Sequence, residues 1–151
     1  MKDKLRALLV EDNPNDVKLL RKELSKSFDL ELYEKNKKKD YCNALTKFPA
    51  DIILSDYKLP QFDGMSALHI HLEKAPHTPF ILVTGSMNEE TAVKVMKAGA
   101  DDYIIKEHLH RLVPAIRSAI DKKENKVSKE KAEKALQQSE EKYRLLADNT
   151  L

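Results

Sequence analysis

Short apolar runs recur along the chain, and four of them stop at polar residues of different chemical types. Leu8-Leu9-Val10 stops at Glu11-Asp12, Ile52-Ile53-Leu54-Ser55 at Asp56, Phe80-Ile81-Leu82-Val83 at Thr84, and Tyr103-Ile104-Ile105 at Lys106. Runs of this length separated by helical patterns read as buried strands of a parallel sheet. The pattern predicts strands over residues 5–10, 29–33, 51–55, 80–84 and 102–106, the second alternating with charges as an edge strand does. The first helix opens at Asn13-Pro14, an N-cap followed by proline, and runs to Ser25 with Val17, Leu20 and Leu24 on one face. Helices follow over 38–48 and 65–74, the latter after the Asp63-Gly64 turn signal. Ser86 and Glu89 have capping-box spacing for a fourth helix, which is expected to carry Val93 and Met96 inward and to stop at Gly99. A last helix begins near Leu109.

Five βα units in a row favour a doubly wound α/β sheet, for which the common strand order is 2-1-3-4-5 with a switch point between strands one and three. Ligands of such sheets sit outside the carboxyl ends of the strands, so Glu11, Asp12, Asp56, Thr84 and Lys106 are expected to meet at one edge.

Composition narrows the function. The 151 residues are 41% hydrophobic and 34% charged with a net charge of +2, and basic and acidic residues are interleaved. That pattern argues against a nucleic-acid surface. Lys35 with Lys37 to Lys39 reads as a solvated loop and helix start. The single Cys42 excludes an internal disulfide framework and a multi-cysteine metal site, and reads as a small residue on a half-buried helix. Neither a membrane-length apolar stretch nor a secretory signal is present in the sequence, so a cytoplasmic setting without membrane contact is expected.

Beyond Ile120 the character changes. Residues 121–134 are dominated by Lys and Glu without Gly or Pro, so the last helix can continue. Leu109, Val113, Ile116, Ile120 and Val127 form one stripe, and Ala132, Leu136, Ser139, Tyr143 and Leu146 a second that is out of phase with it. The expected organisation is a domain over 1–120 and a helical, coiled-coil linker over 121–151, leading into a domain beyond Leu151 and pairing with a second copy.

Three carboxylates at one crevice repel one another unless a cation sits among them. Mg²⁺ suits few oxygen ligands, because it keeps waters that a phosphate can replace. Lys106 and the Thr84 hydroxyl would then meet an incoming phosphoryl group, with Asp56, alone at a central strand end, as the nucleophile. Each residue alone has a bland reading as a strand end or cap; the joint placement of the right types at the right strand ends does not.

The stretches Leu9-Val10-Glu11-Asp12-Asn13, Ile53 to Gly64, Val83-Thr84-Gly85 and Ala98 to Lys106 closely resemble the receiver domains of two-component response regulators. The resemblance implies a flavodoxin-like fold in which Asp56 accepts phosphate from a histidine kinase or phosphotransfer protein. It also implies Mg²⁺ held by Glu11, Asp12, Asp56 and the backbone carbonyl of Lys58, Lys106 paired with the phosphoryl group, and Thr84 and Tyr103 at the two switch positions. One departure stands out: Glu107 occupies the place where the family usually has proline after the lysine, so a trans Lys106–Glu107 bond is expected. Residues 139–149 are similar to the helix that leads into PAS sensor domains, implying a multidomain parent such as a histidine kinase or a cyclic-dinucleotide enzyme. For the region itself the resemblance implies a phosphoacceptor rather than a turnover enzyme.

Two rival functions are a Mg²⁺-dependent aspartyl phosphatase and a scaffold receiver that never carries phosphate. The first generally needs an acid near the nucleophile, and Lys58 stands two residues after Asp56. His69 with His71, and His108 with His110, are two apart and are not expected to pair on a metal. Asp101-Asp102 lies at the opposite end of strand five, where turn or capping duty is expected.

Overall fold

A computed structural model describes residues 2–85 and 88–148, with the side chain of Asp148 excepted. Its elements are β1 (Asp3–Val10), α1 (Pro14–Ser25), β2 (Phe28–Lys35), α2 (Lys38–Lys47), β3 (Ile52–Ser55), α3 (Gly64–Lys74), β4 (Phe80–Thr84), α4 (Glu89–Ala98), β5 (Asp102–Ile105), a 3₁₀ turn (Lys106–Arg111) and α5 (Leu112–Asp148). The strands form one parallel sheet in the order β2-β1-β3-β4-β5, as the sequence pattern predicts.

Alternation along each strand divides the core. Leu5, Leu9, Leu54, Ile81 and Val83 point to the face covered by α1 and α5, where Leu20, Leu24, Leu112 and Ile116 meet them. Leu8, Val10, Ile53, Phe80 and Leu82 point to the other face, against Tyr41 and Leu45 of α2, Leu68 of α3 and Val95 of α4. Burial on both faces explains why β3 and β4 read as unbroken apolar runs, while the mixed burial of β2 fits its edge position.

The helix ends follow their local chemistry, with one correction. The Asn13 side chain accepts a bond from the Asn15 N–H at the start of α1, Pro14 takes the first helical position, and Asp63 caps α3 through the Ser66 N–H. The cap of α4 is Asn88, whose side chain accepts from the Thr91 N–H, so Glu89 opens the helix rather than closing a capping box; Ser86 lies outside the described residues. Gly99 ends α4 at φ +117°, a left-handed conformation that favours glycine.

Val93 and Met96, expected to face inward, are 50% and 39% exposed, and α4 instead buries Ala92 and Val95. Both pairs have helical spacing, and the smaller Ala92 allows close approach to the sheet. The last helix also differs from expectation. Residues 106–111 form a 3₁₀ turn with a kink at His108, and α5 proper begins at Leu112, which is fully buried. From there α5 runs for 37 residues without a break. Lys123 and Val127 are still half-buried, whereas 128–147 are exposed on every side. Among the described residues no peptide bond is cis, so Lys106–Glu107 is trans as expected, and no helix is long and apolar enough to cross a membrane.

His71 on α3 is fully buried, with Nε2 donating to the Thr78 carbonyl and Nδ1 without a hydrogen-bond partner among the described residues. Burial pushes its pKa below the ordinary 6.5, against smaller opposing contributions that include the Thr78 bond and the charge of Asp101, while Lys123 adds to the lowering. The unfolded chain therefore takes up a proton at higher pH than the folded one. The stability tied to a neutral His71 is complete above the unfolded value and is lost as pH falls through it toward the folded value. Urea unfolding at about pH 7.5 and 5.5 is expected to show a drop in midpoint that His71→Gln makes shallower; an unchanged slope would remove His71 as the cause.

Candidate functional site

The carboxyl ends of β1, β3, β4 and β5 bring the predicted residues to one edge. Glu11 follows β1 and is almost wholly buried, and its Oε1 accepts the Asn13 N–H at 3.1 Å. Asp56 follows β3, where its N–H donates to the Val10 carbonyl at 2.9 Å and its Oδ1 accepts the Tyr57 N–H at 2.8 Å. The loop beyond it is fixed by the Gly64 N–H donating to the Tyr57 carbonyl at 2.7 Å. Any Cβ on Gly64 would lie 2.8 Å from the Asp56 carbonyl oxygen and 2.9 Å from the Tyr57 Cα, so the glycine lets α3 start against the backbone of the site.

Lys106 joins the parts. Its ammonium donates to Asp16 Oδ2 at 2.7 Å, Glu11 Oε2 at 2.9 Å and Asp56 Oδ2 at 3.2 Å. Burial alone would lower the lysine pKa. The bonds to Asp16 and Glu11, with the charges of Asp56 and Glu11, outweigh it and hold the ammonium above the ordinary lysine range. Burial pushes the Glu11 carboxyl up from 4.5 and the Asp56 charge adds to the rise, against the lowering bonds from Lys106 and the Asn13 N–H.

Oxygens of Glu11, Asp12 and Asp56 all lie within 4.8 Å of one another. Three carboxylate oxygens that close fit a hard divalent cation of the Mg²⁺ type, and Asp12, the exposed member, leaves a side open to water. Asp56, Lys58, Thr84 and Lys106 line a cleft of about 470 Å³ together with Asp16, Gly85 and Glu107. Clefts of comparable size occur elsewhere on the surface. What singles this one out is its charge: three carboxylates, those of Glu11, Asp16 and Asp56, gathered about one ammonium at the sheet's switch point. Thr84 is buried at the end of β4, and Tyr103, one strand away on β5, is 38% exposed.

Asp16 is the site residue that sequence reasoning missed. As an acid in the first turn of α1 it reads as a favourable partner of the helix dipole. The signal that could have found it is the position of that turn, directly after Glu11-Asp12 and therefore at the same edge. The secondary candidates also find places. Asp101 caps the start of β4 through the Phe80 N–H and lies 3.7 Å from Lys123, and Asp102 accepts the Tyr103 N–H, so both serve local structure. The rings of His108 and His110 come edge to face with centroids 5.9 Å apart, because the kink at His108 breaks helical geometry. Cys42 is half-buried on α2.

A match to the response regulator receiver domain family spans residues 7–117. Regulatory protein AtoC of Escherichia coli is 36% identical over 104 residues, which cover 67% of this chain and 22% of that protein. Regulatory protein LuxO of Vibrio cholerae is 31% identical over 115 residues, covering 76% of this chain and 25% of that protein. The matched region is thus a quarter or less of the length of these relatives. Among solved structures, a response regulator receiver domain protein from Clostridium thermocellum superposes with a TM-score of 0.71 at 24% identity, covering 80% of this chain and 97% of that one. A CheY-like receiver domain protein from Methanospirillum hungatei JF-1 does so at 0.69 and 25%, covering 82% and 99%.

Proposed function

Because the chain belongs to the response regulator receiver domain family, we propose that it is a phosphoacceptor switch in which Asp56 takes a phosphoryl group from the phosphohistidine of a histidine kinase or phosphotransfer protein. The observation that carries this reading is the Lys106 ammonium, 3.2 Å from Asp56 in the cleft that Thr84 also lines. An Asp56 carboxylate oxygen attacks phosphorus as the P–N bond breaks. The imidazole leaves with the electron pair and regains a proton from solvent, and an aspartyl phosphate results. Glu11, Asp12 and Asp56, with the backbone carbonyl of Lys58, would hold Mg²⁺, which when bound neutralises charge on the phosphoryl oxygens. Lys106 pairs with the same oxygens, and Thr84 turns its hydroxyl toward them while Tyr103 moves inward. Helix α5 carries the change along its extension beyond residue 120, through a parallel homodimer, to a downstream domain of the same chain in the cytoplasm.

The phosphatase reading lacks its acid. Lys58 is exposed at the position in question; of the other carboxylates lining the cleft, Asp16 is engaged by Lys106, and Glu107 is exposed directly after the lysine at the end of β5 rather than beside Asp56 in the chain. A scaffold receiver would have no use for the acid set. Incubation with acetyl phosphate and Mg²⁺, followed by peptide mapping, is expected to place the label on Asp56 alone. Undiminished labelling of Asp56→Asn would overturn the assignment.

A further inference from the structure

Asp16 makes the shortest of the three bonds to the Lys106 ammonium, at 2.7 Å against 2.9 Å to Glu11 and 3.2 Å to Asp56. Three carboxylates thereby saturate its three donors. They differ in what else they can do. Glu11 and Asp56 belong with Asp12 to the set of oxygens within 4.8 Å of one another that suits a divalent cation, and Asp16 does not. It stands on the first turn of α1 and lines the cleft with Asp56, Thr84 and Lys106.

Charge decides the consequence. A cation among Glu11, Asp12 and Asp56 draws two of the lysine's three partners to itself and repels the neighbouring ammonium. Asp16 is then the carboxylate left to Lys106 alone. Resting on the reading of the site given above, we infer that Asp16 is a positioning residue that keeps Lys106 in the cleft when Mg²⁺ is bound, so that the donor aimed at Asp56 can pass to a phosphoryl oxygen. A purely electrostatic role would have the opposite sign, because a carboxylate beside an incoming anion disfavours its entry.

Two measurements on the full chain test this, with beryllofluoride as the phosphoryl mimic. In titration calorimetry with Mg²⁺ present, Asp16→Asn is expected to weaken beryllofluoride binding about tenfold, the scale of one lost charge-assisted hydrogen bond, and Asp16→Glu to recover part of the loss. The second reads Lys106 directly, through its rate of acetylation by an amine reagent followed by peptide mass. Lys106, with 16% of its side chain exposed, is expected to stay protected in wild type with and without Mg²⁺. In Asp16→Asn, Mg²⁺ is expected to speed its labelling several-fold. A merely structural role for Asp16 would speed labelling equally without the metal, and that result overturns the inference. So does beryllofluoride binding that is unchanged or tighter in Asp16→Asn. Wild-type protein that binds neither Mg²⁺ nor beryllofluoride would overturn the reading of the site itself, which separates the two failures.

Discussion

Lys106→Met is expected to lower the stability of the folded chain by about 2–3 kcal/mol near neutral pH, well above the value of an ordinary surface ion pair. The ammonium has 16% of its side chain exposed, and its partners Glu11, Asp56 and Asp16 have 1%, 13% and 24%, so removing it leaves carboxylates with little access to compensating water. The pH dependence follows from Glu11, whose folded pKa is raised, chiefly by burial. A carboxyl with a raised folded pKa contributes stability that is present below its unfolded value and lost as pH rises through the folded one. Without Lys106 the Glu11 value rises further, so the deficit of the variant is largest at neutral and alkaline pH and shrinks as the carboxyl takes a proton. Mg²⁺ is expected to restore part of the loss by mass action, because it supplies to the same oxygens the charge that the lysine gave. Urea unfolding of wild type and variant, across pH and with and without Mg²⁺, checks each part. A loss under about 1 kcal/mol, or one independent of pH, would place these pairs with exposed ones.

Much of this site was readable in the sequence because its members occupy strand ends, and strand ends are where apolar runs stop. Glu11, Asp12, Asp56, Thr84 and Lys106 each terminate such a run, and the strand order 2-1-3-4-5 puts those ends at one edge. Asp16 escaped because it sits on a helix, where an acid in the first turn already has a sufficient local explanation. Val93 and Met96 were misjudged for a related reason. Periodicity fixes spacing along a helix but not its phase, and α4 turns Ala92 and Val95 to the sheet. Leu112 lies off the apolar stripe that runs from Leu109 through Val113 if both stand on one continuous helix. The 3₁₀ turn over Lys106–Arg111 and its kink at His108 change the phase, so that Leu112 is fully buried at the junction.

That junction makes the second large prediction. Leu112→Ala is expected to cost about 3–4 kcal/mol, the range for truncating a fully buried leucine whose surroundings relax only in part. Leu112 is 0% exposed and belongs to the same core cluster as Ile116, Leu54 and Ile104 where α5 leaves the 3₁₀ turn, so the loss is expected to appear at any protein concentration. Leu136 is 61% exposed on the same helix, and Leu136→Ala is expected to change the stability of the monomer by no more than about 0.5 kcal/mol. Its effect belongs to association. If residues 121–151 pair two copies, Leu136→Ala lowers the unfolding midpoint only at concentrations where wild type sediments as a dimer. Spin labels at Lys126 and Gln138 then report whether phosphorylation of Asp56 changes the distance between subunits. A Leu136→Ala loss equal to that of Leu112→Ala in dilute solution would mean that the far part of α5 folds back on its own domain. Unchanged distances in protein shown to be phosphorylated would reduce α5 to a tether. The contrast between the two leucines is informative because one helix carries both: its first turns are held by the receiver core, and its remainder, 128–147, is exposed, so that burying Leu136 further takes a partner outside that core.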